Sequence, residues 1–103
     1  MITLEPHSLL LVQSILEQYI PTKKVLLFGS RANNTAKPYS DIDLAVLSDV
    51  PLPVETLAQL RLAFEESDLP YKVDLVEWCT LTEAFQQIIK SAPVEVVHPE
   101  NLS

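Results

Sequence analysis

Apolar residues recur at helical spacing from Pro6 to Ile20, where Leu9, Val12, Leu16 and Tyr19 share one face. Leu10, Leu11 and Ile15 widen that stripe, which predicts a helix buried on two sides. Pro21 ends it. The run Lys24 to Phe28 (KVLLF) is short, apolar and broken sharply by Gly29-Ser30, so it reads as a strand. Arg31 to Tyr39 is polar and reads as a helical turn passing into a loop. Asp41 to Leu47 (DIDLAVL) predicts a second strand. Pro51 and Pro53 then turn the chain into a helix over Val54 to Glu66, with Leu57, Leu60, Leu62 and Phe64 as its apolar contacts. Asp68-Leu69-Pro70 is a turn, and Lys72 to Glu77 (KVDLVE) a third strand. Thr80 or Thr82 can cap a last helix over Thr82 to Ser91, whose stripe is Leu81, Phe85, Ile88 and Ile89. After Pro93 the segment Val94 to Val97 is suited to an extended conformation.

Strands alternating with helices predict an α/β (α+β) fold: a small mixed sheet of three to four strands packed with helices. The 103 residues make one domain, 1–103, long enough to bury a core. The 48% hydrophobic content is high for such a length, so part of the apolar surface is expected to face a partner, in a homo- or hetero-oligomer. Seven basic against fourteen acidic residues give a net charge of −7. That balance argues against direct nucleic-acid binding, which draws on Lys and Arg neutralising phosphates. It suits divalent cations or a basic partner. Cys79 is the single cysteine, which excludes an intrachain disulfide and fits a reducing compartment. No apolar run is long enough to span a bilayer and the N-terminus has no signal-peptide pattern, so a cytoplasmic protein without membrane attachment is expected.

The candidate chemistry lies at strand starts and ends. Asp41 and Asp43, two apart in a strand, point to the same face. Their like charges repel at close range, and a cation between them relieves that repulsion. Magnesium takes such oxygen ligands, commonly one or two carboxylates together with phosphate oxygens. By themselves the two residues are as compatible with Asp41 capping a turn and Asp43 being merely exposed as with a metal site. Asp74 stands between Val73 and Leu75, where an unpartnered charge is costly. If the second and third strands are neighbours, all three carboxylates meet on one patch. Gly29 is the only glycine in the chain. Directly after a strand it would let the backbone approach a phosphate, with the Ser30 hydroxyl and the Arg31 guanidinium adding contacts.

Gly29-Ser30, ten residues, Asp41-x-Asp43 and a strand aspartate at 74 together resemble the pattern of the DNA polymerase beta-like nucleotidyltransferase superfamily. FGSRANNTAKPYSDIDLAVLSD (residues 28–49) and LPYKVDLVEW (69–78) look like the signatures of the minimal nucleotidyltransferases, the MNT proteins of bacteria and archaea. The resemblance runs from the N-terminal helix through the last helix. It implies a nucleotidyltransferase fold and a metal-dependent transfer of a nucleoside monophosphate, AMP from ATP, to an acceptor hydroxyl. It implies that Asp41 and Asp43 coordinate two Mg²⁺ ions with the NTP phosphates. Asp74 would complete the acceptor-side metal site and help deprotonate the acceptor, while Gly29, Ser30 and Arg31 hold the triphosphate. Many such proteins are encoded beside a HEPN partner and act as antitoxins, the acceptor being a tyrosine hydroxyl of the HEPN protein. The family loop often reads Ala-Arg-Gly where this chain has Ala32-Asn33-Asn34; Asn34 can replace the glycine conformation, but the positive charge is not replaced at that position.

His7, His98, Cys79 and Trp78 are read as surface or packing residues, since none has a ligand or base at useful spacing. Two further readings compete with protein nucleotidylation. In the first, a catalytically weak or inactive binding module neutralises a HEPN-like partner by complex formation. In the second, the site modifies a small molecule, which the lack of an extra acceptor domain disfavours.

Overall fold

The computed structural model describes residues 4–29, 41–92 and 94–99. The elements in chain order are α1 (Pro6–Tyr19), β1 (Lys24–Phe28), β2 (Ile42–Leu47), α2 (Val54–Glu66), β3 (Val73–Glu77), a 3₁₀ turn (Trp78–Thr80), α3 (Glu83–Ser91) and β4 (Glu95–His98). The strands form one mixed sheet in the order β3-β2-β1-β4. β1 is antiparallel to both β2 and β4, and β2 is parallel to β3 across the α2 crossover. The extended tail expected after Pro93 is thus a fourth strand at the edge beside β1.

Strand alternation divides the sheet into two unlike faces. Val25 and Leu27 of β1, Ile42, Leu44 and Val46 of β2, Leu75 of β3 and Val97 of β4 are buried in one cluster. Val12 and Leu16 of α1, and Leu60 and Phe64 of α2, close over it. Burying each such side chain contributes on the order of 1.5–3 kcal/mol. Neither α1 nor α2 has a side-chain N-cap, an interaction worth only about 1 kcal/mol, so this packed face sets their stability. Pro6 opens α1 with its φ already helical, and α1 ends where the Ile20 amide donates to the Leu16 carbonyl.

The opposite face is covered only in part. α3 packs against it through Ile89, the residue of that helix that is buried. Phe85 and Ile88, expected in the α3 stripe, stand 41% and 64% exposed, because no element of the described chain lies over them. Two other expectations are corrected. Leu10 of α1 and Leu62 of α2 are exposed, each turned away from the core that their helix neighbours enter; α1 is therefore not buried on two sides. His98 is not a surface residue but 4% exposed. Its Nδ1 donates to the Lys23 carbonyl at 2.7 Å, and its Nε2 lies 2.7 Å from Glu17 Oε2, which ties β4 to α1 and to the start of β1. His7 is exposed, as expected. No helix among the described residues is long and apolar enough to cross a membrane.

Candidate active site

The site residues are assembled where β1 ends and β2 and β3 begin. The parallel register sets Asp43 directly beside Asp74, and the antiparallel register sets Phe28 beside Asp43. The Ile42 amide donates to the Lys72 carbonyl at 2.9 Å, pinning the two strand starts together. Strand alternation puts Asp43 and Asp74 on the open face, opposite the core. Asp41 precedes β2 by one residue; it and Asp74 are exposed, and Asp43 is half-buried.

Asp43 feels the whole arrangement. Burial pushes its carboxyl above the ordinary 3.8, and the negative charges of Asp74 and Asp41 push it further in the same direction. The three carboxylates therefore share one field, as expected if the second and third strands are neighbours. Among the described residues no group of three or more His, Cys, Asp or Glu side chains is placed to hold a metal ion by itself. A hard cation here needs oxygens from elsewhere, and phosphate oxygens are the usual complement to one or two carboxylates. The donor set thus fits magnesium that arrives with a nucleotide.

Gly29 is shaped to the same carboxylate. Its φ is +77°, a left-handed conformation that side chains rarely adopt. A Cβ placed there would stand 2.5 Å from Asp43 Oδ2 and 3.4 Å from its Cγ. The missing side chain is therefore the space in which the Asp43 carboxylate sits. The expected phosphate contacts of Ser30 and Arg31, and the loop with Asn33 and Asn34, lie outside the described residues.

A cavity that the motif spacing did not point to lies at the other end of the open face, between β1, β2 and α3. It measures about 450 Å³, and its lining includes Lys23, Lys24, Trp78 and Lys90. Those residues are spread over the chain with no regular spacing, so only the fold brings them together.

Comparison with known proteins bears on this geometry. The family model described as Polymerase beta, Nucleotidyltransferase matches residues 11–98. The "Probable protein adenylyltransferase MntA" of Haemophilus influenzae is 42% identical over 97 residues, covering 94% of this chain and 85% of that protein. A crystal structure of a toxin–antitoxin with AMP-PNP superposes with a TM-score of 0.69 at 27% identity, over 86% of this chain and 71% of that one. The complex of a tri-AMPylated Shewanella oneidensis HEPN toxin with its MNT antitoxin matches with a TM-score of 0.63 at 24% identity, over 88% and 69%, a likeness of fold. The match spans β1, β2 and β3 with their glycine and aspartates, and on it the chain belongs to the polymerase beta nucleotidyltransferase family.

Proposed function

We propose that the protein is a magnesium-dependent adenylyltransferase that moves AMP from ATP to a hydroxyl on a HEPN toxin and thereby acts as its antitoxin. The carrying observation is the register that sets Asp43 beside Asp74, with Gly29 open against the Asp43 carboxylate. The 42% identity to a probable protein adenylyltransferase over nearly the full chain supports the AMP donor and the protein acceptor.

In this reading Asp41 and Asp43 would hold two Mg²⁺ ions together with the nucleotide phosphates, and Asp74 would complete the acceptor-side site. Bound there, magnesium neutralises charge on the attacking and leaving oxygens of an in-line displacement. Gly29, Ser30 and Arg31 orient the triphosphate. Asp74 accepts the proton of the acceptor hydroxyl. That oxygen then bonds to the α-phosphorus, the bond from the α-phosphorus to the bridging oxygen breaks, and pyrophosphate leaves. In the strand order β1-β2-β3 Gly29 and Asp74 flank Asp43 on opposite sides, which supports this division of roles.

The test is an intact-mass measurement of the HEPN partner after incubation with this protein, ATP and Mg²⁺. A gain of whole AMP units, absent with Asp43→Asn, is expected. A stable complex with no mass gain from any of the four NTPs would overturn catalysis. The second reading, neutralisation by binding alone, is favoured by the exposed Phe85 and Ile88 on α3. Full neutralisation of the toxin by Asp43→Asn would select it.

A further inference from the structure

Three of the seven basic residues of this acidic chain gather around one cavity. The cavity of about 450 Å³ lies where α3 leans on the open sheet face, at the end of β1 and β2 farthest from the aspartates. Lys23 and Lys24 reach it from the start of β1, and Lys90 from α3. Leu26, Leu47, Ile89 and Trp78 supply apolar wall, and Asp49 is the one acidic lining residue among those described. Lys90 Nζ stands 5.6 Å from the centre of the Trp78 ring. The backbone that presents Lys23 is held by the buried His98 imidazole through the Lys23 carbonyl. Among the described residues none of the three ammonium groups is paired with a carboxylate.

We propose that this cavity is a second nucleotide site, which takes a nucleoside monophosphate with its phosphate among Lys23, Lys24 and Lys90 and its base against Trp78 and the apolar wall. Each half of the lining excludes a simpler ligand. An apolar molecule would leave three lining lysines with Asp49 as the one acidic residue of the described lining, and a bare anion would leave the aromatic and aliphatic wall uncovered. A planar base carrying a phosphate dianion answers both, since lysines bind phosphate as point charges and indole rings pack against bases. The volume falls in the ordinary range for small-ligand pockets. The site is distinct from the aspartate centre. Asp43 and Leu47 are four residues apart in β2, about 13 Å along the strand. It also needs no metal, because the charge facing the phosphate is already positive.

Trp78 is the only tryptophan, so the emission of the intact chain reports on the cavity directly. AMP is titrated in EDTA, where the aspartate centre repels phosphate. A saturable change in emission is expected, and it should be unaltered in Asp43→Asn. The double variant Lys23→Ala/Lys24→Ala should bind AMP at least about tenfold more weakly, since the loss of even one charge-assisted contact costs about that much. Lys90→Gln provides a second variant with the helix intact, and circular dichroism verifies that both variants fold. Inorganic phosphate should displace AMP poorly. No saturable change, unchanged affinity in the lysine variants, loss of the signal in Asp43→Asn, or displacement by phosphate as effective as by AMP itself would each overturn the proposal.

Discussion

Replacing Gly29 with alanine adds a single methyl group where the structure has no room for one. The new Cβ would lie 2.5 Å from Asp43 Oδ2, whereas ordinary contact begins near 3.4 Å. The carboxylate must therefore retreat by roughly 1 Å or the turn must open. Holding alanine at φ +77° adds about 1–2 kcal/mol of conformational strain. The smaller entropy of the unfolded alanine chain offsets about 0.4–1 kcal/mol of that. A net destabilisation of roughly 1 kcal/mol follows, which in urea lowers the unfolding midpoint by about 0.5–1 M. The effect on transfer should be far larger than the effect on stability. A misplacement of about 1 Å in a reacting constellation costs on the order of a hundredfold in rate. The assay pairs urea unfolding with the rate of AMP incorporation into the partner, followed by mass. Gly29→Ala should remain folded in buffer and lose most of its transfer rate. A variant that kept the wild-type rate while losing the expected stability would refute the assignment of Asp43 to the reacting centre.

Asp43→Asn should abolish transfer yet stabilise the metal-free protein. The folded-state pKa of Asp43 is raised, so at neutral pH its ionised form opposes folding. That opposition fades as pH falls through the raised value towards 3.8, and asparagine removes it at every pH. Thermal melts in EDTA at pH 7 should therefore shift upward by a few degrees, and added Mg²⁺ should raise the wild-type midpoint more than the variant's. A lower midpoint for the variant would contradict the crowding of three carboxylates. Leu16→Ala should cost on the order of 2–5 kcal/mol, because Leu16 is fully buried between α1 and the sheet. A urea midpoint within error of the wild type would show that α1 does not dock as described.

The elements were legible in the chain because each carries its own period. The apolar runs of KVLLF and DIDLAVL and the 3.6-residue stripe of Val12 and Leu16 state their class locally, and the glycine and three aspartates keep a family spacing. Features that depend on what stands opposite a residue were not legible. The α3 stripe has the right period, but its period does not reveal that nothing covers Phe85 and Ile88. His98 looked like a surface residue because its partners are 81 and 75 residues away, at Glu17 and Lys23. Lys23, Lys24, Trp78 and Lys90 carry no joint signal until β1 and α3 meet over the sheet. Conversely, the adjacency of Asp43 and Asp74 was conditional on strand order, and the parallel β2–β3 pairing supplies that condition.

The order β3-β2-β1-β4 also divides the centre by how readily its parts can open. β1 and β2 are interior strands, bonded on both sides, and carry Gly29 at the end of one and Asp43 within the other. Their amides exchange with solvent only in the rarest openings, so the half proposed to grip the phosphates keeps its shape as long as the protein is folded. β3 is bonded along one side only, and it carries Asp74. Edge strands fray at lower free energy than the sheet centre. The half proposed to meet the acceptor can therefore yield to an incoming partner without loosening the half proposed to hold the nucleotide.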